Sequence, residues 1–197
     1  MNIYVVRHGE SVENIKGTFY GSTDCKLSDK GKLQSLFLKD KLKNINFDIV
    51  YYSPTNRAVE TLDIIYDNKS SQKSCDKRLC EINFGKFEGK NYTELLKFYE
   101  DECKLWERDW INFTPPNGES YLDLYKRVEE FMDELLKKSY ENVLVVSHGG
   151  PIRAIYTYVM NKNLEMFWKF GCNNCDIAKI KFEFGNLFID SICHFDS

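Results

Sequence analysis

Short apolar runs alternate with amphipathic segments along the chain. The runs at residues 3–6, 48–52 and 143–146 are rich in β-branched and aromatic side chains, which is typical of buried strands. Two more runs, at residues 177–182 and 187–192, flank a turn that contains glycine and asparagine. Together they predict a β-hairpin near the C-terminal end.

Helical spacing follows two of the strands. Ser28 is a predicted N-cap, and the apolar residues after it recur at the spacing i, i+3, i+4. These apolar residues are Leu33, Leu36 and Phe37. After the second strand, Ser53 as N-cap and Pro54 at the first helical position predict a helix that continues to about residue 66.

The clearest helix is predicted at residues 119–136, because five apolar side chains share one face. They are Tyr121, Leu124, Val128, Phe131 and Leu135. A further helix, from about residue 152 to residue 160, follows the strand at residues 143–146.

The middle of the chain is less regular. Residues 69–77 are polar and predict a loop, and residues 78–89 predict an extended segment with turns. Residues 91–113 predict one or two helices rich in aromatic residues, which the sequence TPPNG ends. We expect residues 84–118 to form a helical, aromatic-rich cap over one end of the sheet.

This alternation of strands and helices predicts an α/β fold. We expect a three-layer sandwich with a mostly parallel, mixed central sheet flanked by helices. A length of 197 residues suits one domain, residues 1–197, with a sizeable core.

Composition and charge narrow the function. A hydrophobic content of 43% excludes a disordered chain. The net charge of −3 and the lack of a basic run argue against nucleic acid or a membrane surface as a partner. No apolar run is long enough to span a membrane, and no signal sequence is recognisable, so a cytoplasmic location is expected.

The cysteines agree with that location. Seven scattered cysteines are typical of reduced thiols. Cys172 and Cys175 form a lone C-x-x-C pair, which favours two packed thiols over a redox pair or a zinc site.

Three predicted strands end in polar residues of matching character. RHG follows the first strand at residues 7–9, SP follows the second at residues 53–54 with Arg57 close behind, and SHGG follows the strand at 143–146. The carboxyl ends of parallel strands meet at one edge of a sheet. Two arginines and two of the three histidines are therefore expected at one cationic pocket.

These residue types suit a phosphate ester. The guanidinium groups of Arg7 and Arg57 match phosphate oxygens and would lower the pKa of a nearby imidazole, which leaves it neutral and nucleophilic. His8 is the candidate nucleophile, and His148, if protonated, could stabilise the transferring group. Glu81 is the candidate acid for the leaving oxygen, because a phosphate dianion beside it favours the protonated carboxyl.

These motifs, in this order, resemble the histidine phosphatase superfamily, which includes the cofactor-dependent phosphoglycerate mutases. The similarity extends nearly from end to end. The motifs are RHGES with Asn14, GSTDCKLSDKG from Gly21, SPTNRAVET, the glutamate of RLCEINFG, and VVSHGGPIR.

The resemblance implies a role for each candidate residue. His8 would accept the phosphoryl group at Nε2 while its Nδ1–H donates to a backbone carbonyl, and Glu81 would act as acid and then as base. The phosphoryl oxygens would be bound by Arg7, Arg57, His148, Asn14 and the backbone of Gly149. Gly21 would lie in a loop that approaches the substrate, with Glu10 and Ser53 as support. The resemblance implies no metal and no other cofactor.

The segment after Glu81 indicates the substrate. INFGKFEG together with WERDWINFTPPNGES is similar to α-ribazole phosphatases of cobalamin biosynthesis, and the chain lacks the segment that mutases carry there. Four aromatic residues of the cap could then meet a flat base: Phe87, Tyr92, Trp106 and Trp110. Relatives often have tryptophan where this chain has Phe87.

Other functions remain open at this point. One alternative is a broad-specificity phosphatase or a mutase-like enzyme acting on small sugar or glycolytic phosphates. A more distant one is a phosphate-binding regulatory module without activity. In each case the partner is a small phosphorylated molecule, and the chain is expected to be a monomer or a homodimer.

Overall fold

The computed structural model describes residues 1–66 and 72–194. Six strands within them form one sheet: β1 (Asn2–Arg7), β2 (Ile49–Tyr52), β3 (Gln72–Cys75), β4 (Asn142–Ser147), β5 (Ile177–Glu183) and β6 (Asn186–Cys193). Their order across the sheet is β3-β2-β4-β1-β5-β6. The first four strands in that order are parallel, and β5 and β6 form an antiparallel hairpin beside β1. The predicted mixed, mostly parallel sheet is confirmed.

Seven α-helices lie in the described residues: α1 (Val12–Lys16), α2 (Asp29–Leu42), α3 (Asn56–Ile65), α4 (Tyr92–Phe98), α5 (Glu100–Arg108), α6 (Tyr121–Leu135) and α7 (Gly149–Val159). Short 3₁₀ turns cover Lys77–Leu79, Gly85–Phe87 and Leu164–Met166. No helix in this part of the chain is long and apolar enough to cross a membrane.

Helices cover both faces of the sheet and give it three layers. Successive strand residues point to opposite faces, so Val5 and Val145 lie in one core and Val6 and Val146 in the other. The core of Val5 is closed by α6 and α7, and the core of Val6 by α2 and α3. All five apolar residues predicted to share the inner face of α6 are buried, which confirms that helix.

The inner face of α2 differs from the face that its apolar pattern indicates. Leu33, Leu36 and Phe37 are each more than half exposed. The helix instead turns Gly31 inward, so close to the chain after β1 that an added Cβ would lie 2.0 Å from the carbonyl oxygen of Glu10. The buried face carries Gly31, Gln34 and Ser35 in the first half of the helix, where it meets the backbone, and Leu38 and Leu42 in the second half, where it meets the core.

The predicted start of α3 at Ser53 and Pro54 is wrong. Ser53 extends the sheet, because its N–H donates to the carbonyl of Val146 at 3.0 Å. The helix begins at Asn56 with Thr55 as N-cap. The Ser53 hydroxyl lies 2.8 Å from Nε2 of His148 and is engaged there rather than in capping.

The predicted loop at residues 69–77 is also wrong where it can be checked. Residues 72–75 form β3, which pairs with β2 at the edge of the sheet, and Lys77 begins a 3₁₀ turn. Most residues of this edge strand are exposed, so the polar sequence is compatible with a strand. Residues 69–71 of the predicted loop lie outside the described residues.

Helix α7 begins three residues earlier than predicted. His148 is its N-cap, and Gly149 and Gly150 form its first turn. Pro151 is accommodated because the N–H groups of a first helical turn have no partner within the helix. This early start places the N-terminus of α7 directly after His148.

Residues 84–118 contain α4 and α5, so the aromatic segment forms two helices. Their rings pack closely, with the centroid of Phe87 5.9 Å from that of Trp106 and 5.3 Å from that of Tyr99. Phe87 is fully buried in this cluster. It therefore lies under the aromatic surface rather than on it, contrary to the expectation that it meets a flat base.

Candidate active site

The parallel strands β1, β2 and β4 end at the same edge of the sheet. Arg7 of β1 pairs with Ser147 of β4, and the N–H of His8 donates to the carbonyl of Ser147 at 3.0 Å. The ring centroids of His8 and His148 are 5.0 Å apart as a result. The two histidines meet at the carboxyl edge of the sheet, as the sequence predicts.

His8 is buried and held as one tautomer. Its Nδ1 lies 2.7 Å from the carbonyl oxygen of Gly9. A carbonyl can only accept, so Nδ1 carries the proton and Nε2 has a free lone pair. Burial lowers the pKa of His8 well below its ordinary value, and the charges of Arg7 and Arg57 lower it further. The ring is therefore neutral, its orientation is fixed, and Nε2 is unprotonated.

Arg57 is fully buried and joins the second histidine to the loop that contains Gly21. Its Nε–H donates to Nδ1 of His148 at 3.2 Å, and its Nη2 donates to the carbonyl of Gly21 at 2.9 Å. Its Nη1 donates to the carbonyl of Thr23 at 3.0 Å. Burial, followed by the charge of Arg57, lowers the pKa of His148 well below its ordinary value.

Arg7 precedes His8 at the end of β1 and lies close to the first turn of α7. Its Nη1 donates to the carbonyl of Cys172 at 2.5 Å, while its buried Nε has no hydrogen-bond partner among the described residues. A Cβ added to Gly149 would lie 3.7 Å from Cζ of Arg7. The first turn of α7 thus directs backbone N–H groups and a helix N-terminus toward the same place as the two guanidiniums, which suits an anion.

Glu81 lies against that first turn of α7. Its carboxylate accepts from the N–H of Gly150 at 3.1 and 3.3 Å and from the N–H of Ile82 at 2.9 Å. Arg127 donates to the carbonyl of Glu81 at 3.2 Å and pairs with Glu119 at 2.6 Å. The carboxylate therefore has a fixed place beside the helix N-terminus.

Asn14 and Gly21 complete the set that the sequence predicts. The side-chain oxygen of Asn14 accepts from the N–H and hydroxyl of Ser11 and from Nδ2 of Asn174. Asn14 can therefore offer its amide nitrogen to a ligand. Gly21 packs so tightly that an added Cβ would lie 1.6 Å from the carbonyl oxygen of Ile82, next to Glu81.

The two residues expected as support have different places. The Ser53 hydroxyl contacts Nε2 of His148. The Glu10 side chain accepts from the hydroxyl of Ser28 at 2.8 Å and so belongs to the start of α2.

Several residues of the site are missed by sequence reasoning. The hydroxyl of Thr61 accepts from the N–H of Gly9 at 3.0 Å, and Asn174 donates to the carbonyl of His8 at 3.0 Å. Neither lies in a pattern that predicts such a contact. Arg153 follows the SHGG motif closely enough to have been a candidate, and its guanidinium lies 5.2 Å over the ring of Trp168.

Two cavities lie near the candidate residues. A polar one of about 470 Å³ is bordered by Gly21, Thr55 and Glu81. An aromatic one of about 350 Å³ lies between residues 84–118 and the core. The aromatic cavity is lined by Phe19, Tyr92, Trp106, Trp110, Tyr121 and Trp168, together with Cys103 and Glu107. Tyr92, Trp106 and Trp110 thus line a cavity as expected, and the Arg153–Trp168 contact connects it to α7.

Known proteins match this chain over nearly its full length. The family model of the histidine phosphatase superfamily (branch 1) matches residues 3–193. Phosphoserine phosphatase 1 of Hydrogenobacter thermophilus is 32% identical, over 93% of this chain and 87% of the relative. The adenosylcobalamin/alpha-ribazole phosphatase of Escherichia coli is 29% identical, over 86% of this chain and 84% of the relative.

Solved structures agree with this assignment. The crystal structure of the alpha-ribazole phosphatase from Shigella flexneri superposes with a TM-score of 0.91 at 26% identity, covering 96% of this chain and 94% of that one. The resemblance found in the sequence motifs is therefore confirmed. On its fold, its motifs and its relatives, the chain belongs to the histidine phosphatase superfamily and is a phosphatase.

Proposed function

We propose that the protein hydrolyses a phosphate monoester through a phosphohistidine at His8. The observation that carries this proposal is the hydrogen bond from Nδ1 of His8 to the carbonyl of Gly9 at 2.7 Å. It fixes the tautomer in which Nε2 can attack phosphorus. The lowered pKa of His8 keeps that nitrogen unprotonated near neutral pH.

The reaction proceeds in two steps. Nε2 of His8 forms a bond to phosphorus while the bond from phosphorus to the ester oxygen breaks, and Glu81 gives its proton to that oxygen. Glu81 then takes a proton from water, the resulting hydroxide attacks the phosphohistidine, and the P–N bond breaks. His8 regains its lone pair and inorganic phosphate leaves.

The remaining residues bind the phosphoryl group. Arg7 and Arg57 supply positive charge, and Asn14 and the backbone of Gly149 supply further hydrogen bonds. In this proposal the Nε2–H of His148, which faces the Ser53 hydroxyl at 2.8 Å, donates to a phosphoryl oxygen in place of that hydroxyl. Gly21 lets its loop approach the segment of Glu81. In this proposal fixed donors bind the phosphoryl dianion, and the same donors stabilise the transition state without reorganisation.

We further propose that the substrate is α-ribazole 5′-phosphate and that residues 84–118 form the cap that recognises it. The aromatic cavity of about 350 Å³ supports this, because it could receive a flat, apolar base. Proteins named alpha-ribazole phosphatase are similar to this chain in sequence and in fold, which gives further support.

A second candidate substrate is phosphoserine or another small phosphate that carries a carboxylate. A relative with 32% identity is named phosphoserine phosphatase. The guanidinium of Arg153, whose buried Nε has no partner in the part of the chain that the structure describes, could bind a carboxylate close to the phosphoryl site. A broad-specificity phosphatase would use the same groups without preference.

The test is a phosphate-release assay on matched substrates. The panel is α-ribazole 5′-phosphate, O-phosphoserine, 3-phosphoglycerate, fructose 2,6-bisphosphate and p-nitrophenyl phosphate. A preference for α-ribazole 5′-phosphate by about two orders of magnitude or more in kcat/KM is expected, since base stacking and desolvation together supply about 3 kcal/mol. A preference for O-phosphoserine would overturn this substrate, and equal values would identify a general phosphatase.

A further inference from the structure

Glu88 is the glutamate of the FGKFEG segment at residues 84–89, and its carboxylate contacts the loop of Gly21 rather than the reacting groups. One carboxylate oxygen accepts from the N–H and the hydroxyl of Ser22, both at 2.7 Å. The other accepts from the N–H of Thr23 at 2.7 Å and from its hydroxyl. Four donors of two consecutive residues thus converge on one half-buried carboxylate, which also accepts from the N–H of Phe84 at 3.3 Å.

The same backbone is bound by Arg57 on its other side. The Gly21 carbonyl, which accepts from Nη2 of Arg57 at 2.9 Å, belongs to the peptide group whose N–H donates to Glu88. Thr23 donates its N–H to Glu88, and its carbonyl, which belongs to the next peptide group, accepts from Nη1 of Arg57 at 3.0 Å. Backbone from Gly21 to Thr23 therefore lies between a carboxylate and a guanidinium.

Through this arrangement, Glu88 fixes the position of the loop carbonyls that accept from Arg57 and strengthens them as acceptors. A peptide group whose N–H donates to a carboxylate is a better acceptor at its carbonyl, because hydrogen bonds in a chain polarise one another. The other end of the loop is fixed as well, since the carboxylate of Asp24 accepts from the N–H of Asn56 at 2.8 Å. The loop is thus held at both ends with its carbonyls directed at the buried guanidinium.

We propose that Glu88 is a positioning residue that orients Arg57 for the phosphoryl group through the backbone of residues 21–23. This inference rests on the proposed function, in which Arg57 binds the phosphoryl oxygens. In this proposal the FGKFEG segment contributes to phosphoryl binding, because Glu88 connects residues 84–118 to Arg57 through the loop.

The hydrogen bonds require a carboxylate at this position. Burial of Glu88 acts to raise its pKa, yet the bonds from Thr23 and Ser22 outweigh burial and hold the pKa below its ordinary value. A carboxylate offers two acceptor oxygens, whereas the amide of glutamine offers one acceptor and a nitrogen that can only donate. Glutamine at position 88 would therefore place a donor nitrogen against the donors of either Ser22 or Thr23.

The experiment compares Glu88→Gln with Glu94→Gln, a matched change of a hydrogen-bonded carboxylate in α4 that does not contact the loop. The readouts are kcat/KM for p-nitrophenyl phosphate and the inhibition constant of inorganic phosphate. Glu88→Gln is expected to weaken phosphate binding about tenfold and to lower kcat/KM to a similar extent, whereas Glu94→Gln changes each less than about twofold. A folded Glu88→Gln protein with both values within about twofold of the parent would overturn the proposal.

A double-mutant cycle distinguishes an effect of Glu88 that acts through Arg57 from a general loss of order in the loop. In an Arg57→Lys background, Glu88→Gln should add less than about twofold, because a lysine lacks the planar fork of donors that reaches both carbonyls and His148 at once. An equal effect in both backgrounds would show that Glu88 acts elsewhere and would overturn the proposal. If Arg57→Lys alone left phosphate binding unchanged, the proposed role of Arg57 itself would fail.

A milder variant covers the case in which Glu88→Gln does not fold. Ser22→Ala combined with Thr23→Val removes the two hydroxyl donors and keeps both backbone donors. Phosphate binding should weaken about threefold in the parent background and remain unchanged in the Arg57→Lys background. Unchanged binding in the parent background would overturn the proposal.

Discussion

The Nε–H of Arg57 donates a hydrogen bond to Nδ1 of His148 across 3.2 Å. An imidazole nitrogen that accepts carries no proton, so the single proton of His148 lies on Nε2, 2.8 Å from the Ser53 hydroxyl. The sequence suggested that a protonated His148 could stabilise the transferring group. In this arrangement His148 is neutral, and the positive charge comes from the arginines.

Two buried neutral histidines make stability depend on pH. The pKa of both His8 and His148 is lowered, so the unfolded chain takes up a proton on each imidazole near an ordinary pKa of about 6.5, and the folded protein does so only at lower pH. Stability is fully present above about pH 6.5. It is lost as the pH falls from there toward the folded pKa, with a slope approaching about 1.4 kcal/mol per pH unit for each histidine.

Urea unfolding between about pH 5 and about pH 7.5 measures this slope while most carboxylates remain ionised. In a His8→Asn variant the slope should decrease by the equivalent of about one proton, because one imidazole is absent. Equal slopes for the variant and the parent would contradict a neutral, buried His8.

Sequence reasoning finds the two histidines because local sequence and topology agree. RHG and SHGG each follow an apolar strand directly, and parallel neighbours bring their carboxyl ends together. Residues whose role depends on how distant segments approach are not found in this way. Thr61 of α3 and Asn174 of a late loop reach the chain around His8 only in the folded protein.

The errors in the predicted fold have the same origin. Ser53 has the sequence of an N-cap, yet it continues the sheet and contacts His148, so the site overrides the local preference. In α2, the close approach of Gly31 to Glu10 decides which face is buried, although the apolar spacing indicates another. A pattern in one segment carries no information about a backbone that arrives from another.

Replacement of His8 by alanine should abolish turnover without unfolding the protein. The variant lacks the nucleophile, so kcat should fall by at least about a thousandfold. The cost in stability is the hydrogen bond to Gly9 and some packing, about 1–2 kcal/mol. Phosphate release and thermal unfolding are measured on the same preparation.

The third histidine provides the control. His194→Gln removes an imidazole that pairs with Asp176 at 2.7 Å and should leave kcat within about twofold. Hydrolysis of p-nitrophenyl phosphate by a pure His8→Ala variant at the parent rate would refute the phosphohistidine mechanism.

Replacement of Glu81 by glutamine should slow substrates according to their leaving groups. An alcohol leaves as a poor, basic alkoxide and needs a proton, whereas p-nitrophenolate leaves readily without one. We expect kcat to fall about a hundredfold or more for an alkyl phosphate and about tenfold or less for p-nitrophenyl phosphate. The two substrates are compared with one enzyme preparation, so errors in active concentration cancel. Equal losses would show that Glu81 is not the acid.

Trp168 tests whether the aromatic cavity receives a base. The side chain lines the cavity and is 51% exposed, so truncation to alanine removes a contact surface at small cost to the core. Loss of one ring contact of about 1 kcal/mol should raise KM for α-ribazole 5′-phosphate about fivefold to tenfold. The inhibition constant of inorganic phosphate should remain unchanged, because phosphate alone does not reach the aromatic rings.

Phe98 is the matched control, since it is an exposed aromatic residue of α4 that does not line the cavity. Phe98→Ala should leave KM within about twofold of the parent value. If the base stacks in the cavity, the two variants should differ in KM for α-ribazole 5′-phosphate. They should have the same inhibition constant for inorganic phosphate. If Trp168→Ala and Phe98→Ala gave the same KM for α-ribazole 5′-phosphate, Trp168 would not contact the base, and the cavity would lose its support as the site of substrate recognition.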